Sequence, residues 1–492
     1  MKKGFFKNKK EIIFLVSSFC ISLIFFIWQK KLLMNSSWDF LVYVMNAEYL
    51  FKGFYFEWLR PPLVSWIMAL FIPLGRQIAI YSFIIISTFL YFLSLKLFHD
   101  KFLKQYVNSE IFYLLAINPF ILGFGLSVGT ELLSLTWIMF FLTFSFSYPS
   151  FIFLGLAILT RHSNALLTFM VFFSNNLKKI LLGFLIILLV ISPWILLNYL
   201  STGHALTSLG DNYALNVLEQ PKTSIEIGKI FLHLLITLNL LIPFLLSGIF
   251  KVIKRWKELE DKEKIMIHLL MVLSIIALTT YIISPIKEIR YLLVLSLPAI
   301  YFSFFGINSL IEPSKKKKKN NGLKIFLTIL LIIISLSTFA IMWKVSRDIS
   351  SDPIKEIIPK INNNCTISSD LWVYFNWQGM RAIPEPSAAY IEKESQISLM
   401  TKEGYNIILL KKSESYQKNR PFINNLNASI LEDNDKYIWI YNNQSCKQIK
   451  KVDSTYIESK KQIGEFPQEF SPCDALLTKL KLTKICKIFP FL

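Results

Sequence analysis

The sequence lacks a nucleotide-binding glycine loop, a Cys-x-x-Cys pair and any Cys/His spacing suited to zinc. It also lacks an internal repeat. Neither a phosphate-cradling loop nor a structural zinc site therefore organises it. Charged residues make up only 17% of the chain, and between Glu110 and Arg161 the single charge is Glu131. Cysteine is scarce as well: five in all, four of them (Cys365, Cys446, Cys473 and Cys486) in the last third. Disulfides are permitted there if that part lies outside the cytosol, but pairing cannot be read from sequence.

What the chain does contain is long apolar runs. Its 492 residues are 53% hydrophobic, with a mean hydropathy of +0.47. That is too apolar for a soluble protein of this size and predicts a polytopic membrane protein. Uncharged runs long enough to span fall at residues 12–28, 77–95, 111–128, 132–147, 180–199, 230–250, 265–283, 291–311 and 325–343. A tenth run, 151–173, is interrupted by Arg161-His162 and reads as a hairpin of two short helices, which makes eleven segments. Run 12–28 follows basic residues, as a signal peptide does. No small-residue cleavage site follows it, so a retained helix is expected.

Lysine and arginine set the expected orientation. Segments 1–11, 96–108, 175–179, 251–264 and 312–324 hold 22 of them, and the facing segments 29–76, 200–229 and 284–290 hold 9. The richer set belongs in the cytoplasm, so the N-terminus is expected inside and the C-terminal part outside. The net charge of +20 is thus topogenic, and nucleic acid is not an expected partner. From residue 344 long apolar runs stop. Residues 1–343 read as a transmembrane domain and 344–492 as an extracytoplasmic α/β domain, with strands at 364–368, 405–411 and 436–441 and helices at 370–378 and 387–402.

The stretch after the first apolar run carries the most information. In 37–63, Asp39, Tyr43 and Asn46 share one helical face, while Phe40, Val44, Ala47 and Phe51 share another suited to a membrane surface. Gly53 can stop that helix, and Arg60-Pro61-Pro62 can open the next. An acid followed by a cation at a proline-capped helix start suits a lipid phosphate; the plain alternative is an interfacial loop with solvated charges. Glu131 is costly where it stands and marks a functional site or a helix cap. Arg161 needs a partner: Glu131, Asp39 or a bound phosphate. Arg290 and Lys287 could clamp phosphate or simply snorkel. The loop 199–229, with His204 and Gly210-Asp211, suits a mobile lid.

The run Asp39, Tyr43, Ala47, Gly53, Arg60-Pro61-Pro62-Leu63 resembles the first external loop of the C-superfold membrane glycosyltransferases (GT-C), in the protein O-mannosyltransferase and aminoarabinose-transferase branch. Glu131 fits that family's acidic residue in the second external loop. Arg161 fits its basic residue, and Arg290-Tyr291 its "RYLLPLLPA" stretch. One departure is that Phe40 stands where many members have a second acid; Glu48 and Glu57 are expected to face solvent.

The resemblance implies transfer of a sugar from a polyprenyl-phosphate donor to an extracytoplasmic protein, lipid or glycan. The residues then take expected roles. Asp39 serves as base and Glu131 as its partner, so the two should approach across one cavity. Arg60, Arg161, Arg290 and Tyr291 meet the donor phosphate. Tyr43, His162 and His204 contact donor or acceptor. Asp39 and Glu131 could also hold a divalent ion, although two carboxylates are few for one. A transporter or lipid flippase is the alternative, and a polysaccharide polymerase or ligase a third. The aromatic set Trp372, Tyr374, Phe375 and Trp377 is expected to be core.

Overall fold

A computed structural model describes residues 9–33, 38–104, 109–126, 129–174, 176–220, 227–311, a few positions between 322 and 337, 356–361, 364–426, 430–442, 444–488 and 491. The expected span 325–343 lies largely outside the described residues, and Lys315–Lys319 lies wholly outside them. The chain is mainly helical and forms two compact units. One comprises Met1–Leu32, Tyr81–Trp194 and Gln220–Asp348; the other comprises Leu33–Ile80, Ile195–Glu219 and Ile349–Leu492.

Among the described residues, five helices are long and apolar enough to cross a membrane: Lys9–Trp28, Arg76–Phe102, Leu177–Thr202, Asp261–Ile283 and Ile289–Asn308. Several other expected spans are interrupted. Run 111–128 divides into Ser109–Ala116 and Pro119–Phe124, because Asn118 caps the second helix by accepting the Phe120 N–H at 2.8 Å. Run 230–250 becomes Ile227–Leu238 and Ile242–Lys254, bent by 85° just ahead of Pro243, which makes six spans if the pair counts as one. Run 151–173 is broken at Arg161, whose extended backbone separates the α-helix Tyr148–Thr160 from the 3-10 helix His162–Phe173.

Close helix packing in the first unit depends on missing side chains. Ile242–Lys254 lies against Ser296–Ile311 so tightly that a Cβ on Gly248 would sit 1.7 Å from the Phe302 carbonyl oxygen, and one on Gly306 2.1 Å from that of Phe244. In lipid, where no hydrophobic force drives helices together, such contacts supply the packing energy.

The second unit joins the first loop to the C-terminal residues. Its sheet has the order Ala382–Ile383, Ile367–Ser369, Asn406–Leu410, Tyr437–Tyr441, Ile430–Asp433, parallel across the first three strands and antiparallel across the rest. The apolar face of Ile407, Leu409, Ile438 and Ile440 packs on Ile397 and Tyr405. The helix expected at 387–402 is confined to Gln396–Glu403, and the residues before it form the short hairpin Tyr390–Ile391 and Glu394–Ser395. Disulfides Cys365–Cys446 and Cys473–Cys486 close loops of 81 and 13 residues. A short strand, Tyr55–Glu57, runs parallel to Val452–Ser454.

The helix Trp38–Tyr49 is not the one-sided interfacial helix that its pattern suggests. Every residue from Phe40 to Ala47 is buried. The helix Trp372–Trp377 packs against it: Trp38 meets Trp372 and Tyr374 edge-on at 5.6 and 5.8 Å, and Tyr55 packs 4.4 Å from Trp372. Arg76 fastens the same region. It binds both Glu48 oxygens, at 2.5 and 2.9 Å, and donates to the Trp377 carbonyl at 2.5 Å.

Candidate functional site

Helix Trp38–Tyr49 begins with Asp39 in its first turn, where the helix dipole favours a negative charge. The Pro61-Pro62 pair then fixes Arg60 just ahead of helix Leu63–Ala69, and the Ser65 hydroxyl donates to the Tyr43 carbonyl at 3.0 Å to hold the two helices together. The result is a clamp. The Arg60 Nη2 lies 2.7 Å from Asp39 Oδ1, and its Nε donates to Glu57 Oε2 at 2.9 Å.

Glu57 is a correction to the sequence reading. It is only 8% exposed, not solvated. The sequence hid this because Asn46 takes hold of the Glu57 backbone in both directions, at 2.9 Å each, and draws the strand onto the helix. Glu48, also expected in solvent, is the partner of Arg76. Burial pushes the Glu57 carboxyl up, opposed by the Arg60 charge. Burial also works to lower Arg60, but the Asp39 and Glu57 carboxylates outweigh it and hold the guanidinium above its usual range. Tyr43 belongs to the same surroundings and is itself buried.

The first unit holds a second cluster. Glu131 opens helix Glu131–Phe144 and is 2% exposed. Arg161 Nη1 stands 3.3 Å from Glu131 Oε1, and the Thr130 hydroxyl donates to Oε2 at 3.0 Å. The break at Arg161 frees that side chain from a helical path. Asn164 secures the break by donating to the Ser134 hydroxyl at 2.8 Å and the Ala157 carbonyl at 2.7 Å. The Arg161 guanidinium lies 5.6 Å from the centre of the Tyr291 ring, and that of Arg290 lies 5.5 Å from the same ring. Arg290 also pairs with Glu288. Glu131, Arg161, Tyr291 and Arg290, chosen separately in the sequence, are thus contiguous.

Asp39 and Glu131 belong to different units. Each has an arginine at its carboxylate, Arg60 or Arg161. A guanidinium against each acid does not suit a divalent ion. His162 is half-buried at the start of its 3-10 helix. His204 sits in the second unit between Thr202 and Thr207, both of which contact its backbone.

The stretch expected to be a lid is largely helical, Thr207–Tyr213 running into Ala214–Leu218; residues 221–226 lie outside the described residues. Asp211, buried there, accepts the N–H groups of Tyr456 at 2.7 Å and Ile457 at 3.1 Å. No local pattern points to this partner, which is 245 positions away. Burial pushes the Asp211 carboxyl up from 3.8 to about 7, although the two N–H donors favour its charged form. A raised pKa means that the folded state holds the proton more tightly. This contribution to stability is full below pH 3.8 and is lost as pH rises to about 7. Its slope is at most about 1.4 kcal/mol per pH unit. Asp211→Asn keeps an oxygen for both N–H groups and should flatten that part of the profile. Thermal unfolding of both proteins across this window tests it; parallel profiles would reject the assignment.

The fold is similar to that of ArnT from Cupriavidus metallidurans. The crystal structure of that protein bound to undecaprenyl phosphate matches with a TM-score of 0.54 at 10% identity, over 86% of this chain and 97% of that one. Its apo state matches with a TM-score of 0.50 at 9% identity, over the same shares. No family model and no curated protein matches the chain. The fold is GT-C-like, as the sequence motifs imply.

Proposed function

We propose that this protein is a membrane glycosyltransferase that moves a sugar from a polyprenyl-phosphate donor to an acceptor outside the cytoplasm. The observation that carries the proposal is the likeness in fold, over nearly the whole length of both chains, to a protein crystallised with undecaprenyl phosphate. The charge clusters give it a chemistry. The acceptor hydroxyl attacks the anomeric carbon as Asp39 takes its proton. The bond to the phosphate oxygen breaks, and the electron pair leaves on the lipid phosphate. Direct displacement inverts the anomeric centre. Arg161 and Arg290 meet the departing charge with fixed guanidinium donors, and Arg60 orients Asp39 and can share in that task. Glu131 holds Arg161 ready.

Titration of the purified protein with undecaprenyl phosphate tests this reading. Saturable binding is expected, weakened roughly tenfold by Arg290→Ala through loss of one charge-assisted contact. Absence of binding would reject the donor class. The side of the reaction is inferred from the lysine distribution and supported by the two disulfides, which persist in oxidising compartments. Reporter fusions after Trp343 and within Lys315–Lys319 should report opposite sides of the membrane; the same side for both would mean that 325–343 does not cross and would sink the eleven-segment reading.

A further inference from the structure

A cavity of about 920 Å³ lies within the second unit. It starts at the clamp, where Arg60 and Glu57 line it, and reaches Asp370, Glu385 and Asn419. Its volume is within the range of small-molecule sites, about 300–1,000 Å³. Tyr55, Trp58 and Trp372 also line it.

The polar groups in this cavity fall into two sets. The lysines are occupied: Lys418 pairs with Glu414 at 2.8 Å, and Lys460 with Glu465 at 2.5 Å. Among the remaining groups the carboxyls Glu57, Asp370, Glu385, Glu414 and Glu465 outnumber the cations, and Ser387, Thr455, Tyr456 and Ser459 add hydroxyls that donate or accept. Asp370 and Glu385 form no ion pair among the described residues. Asp370 accepts the Leu410 N–H at 3.0 Å, 40 residues along the chain, and hydrogen bonds from the Ser413 and Ser369 side chains. Asn419 is 1% exposed. Its Nδ2 donates to the Pro386 and Ser415 carbonyls, each at 3.0 Å, while its Oδ1 is buried without a partner. A buried amide oxygen left without a donor is costly, and a ligand hydroxyl would relieve it.

Aromatic rings for C–H faces, two carboxyls and an amide oxygen for O–H or N–H donors, and no unpaired cation together describe one ligand chemistry. We infer that this cavity binds the acceptor and that the acceptor is a saccharide, neutral or amine-bearing, whose reacting hydroxyl lies at the Asp39–Arg60 end. Burial holds the Asp370 and Glu385 carboxyls above their usual range, and the same loss of water penalises a charged ligand. An acidic glycan would face two unpaired carboxyls. The inference rests on the glycosyltransferase reading above.

The test uses the full chain in detergent on an array of neutral, amine-bearing and acidic oligosaccharides and Ser/Thr-rich peptides. Binding is expected on the neutral or amine-bearing oligosaccharides. The strongest of these is then titrated against Glu385→Gln, which removes a charged acceptor, and Ala388→Trp, which fills the cavity that Ala388 lines. Each should weaken binding by about tenfold or more, with unfolding temperatures unchanged as the check on folding. No binding, binding confined to acidic glycans or peptides, or equal affinity in both folded variants would overturn the inference. Undecaprenyl phosphate binding by the unaltered protein is measured alongside. Its absence would count against the donor reading and leave the saccharide result to stand separately.

Discussion

Asp39→Asn should lower transfer by roughly 10²–10⁴-fold, the usual contribution of a general base, while leaving undecaprenyl phosphate binding nearly intact. Asn keeps the size of the side chain and can still accept a hydrogen bond from Arg60, but it cannot take the acceptor proton. The clamp makes the test sharper than the sequence alone allowed. Arg60 touches two carboxylates, Asp39 at 2.7 Å and Glu57 at 2.9 Å, so losing the charge on one leaves the guanidinium still compensated. Glu57→Gln is the matched control. If Asp39 merely positions Arg60, the two substitutions should cost alike. If Asp39 is the base, Glu57→Gln should retain most turnover and shift its pH profile, because a neighbouring negative charge has gone. Full transfer by Asp39→Asn would move the base elsewhere, with Glu131 the first candidate.

The contrast between Asp39 and Glu57 shows where the sequence could be read. Asp39 and the Arg60-Pro61-Pro62 turn were legible because local rules govern them: a helix start favours an acid, and proline fixes the beginning of the next helix. Arg161 and Glu131 were legible because an isolated charge in an apolar run requires a partner. Glu57 was not, since its burial depends on Asn46, eleven residues back, and on Val452–Ser454 at the far end of the chain. The face of Phe40, Val44 and Ala47 was read as facing lipid for a related reason. Periodicity reports an apolar face but not what surrounds it, and here Phe40, Val44 and Ala47 are all buried in the protein. Run lengths likewise could not reveal the 85° bend near Asn239, because an apolar composition accommodates straight and broken helices equally.

Arg161→Ala should produce the largest loss of stability and remove donor binding with it. The Glu131 side chain is 1% exposed, and its nearest cation is Arg161 at 3.3 Å. Deleting that cation leaves a buried carboxylate compensated, among the described residues, by the Thr130 hydroxyl alone, a situation that costs on the order of 3–5 kcal/mol. A fall in donor binding could then reflect a damaged fold and nothing more. The double variant Glu131→Gln/Arg161→Met separates the two. It removes both charges at similar volume, so much of the stability should return, as it does when buried ion pairs are replaced whole. Phosphate binding should not return, because Met offers no donor in place of the guanidinium lost from beside Tyr291. Unfolding temperature and undecaprenyl phosphate affinity, measured on the unaltered protein, Glu131→Gln, Arg161→Met and the double variant, complete the cycle. Recovery of stability without recovery of affinity assigns Arg161 to the donor. If affinity returns together with stability, the pair is structural, and the phosphate must be held by Arg290 or Arg60 instead.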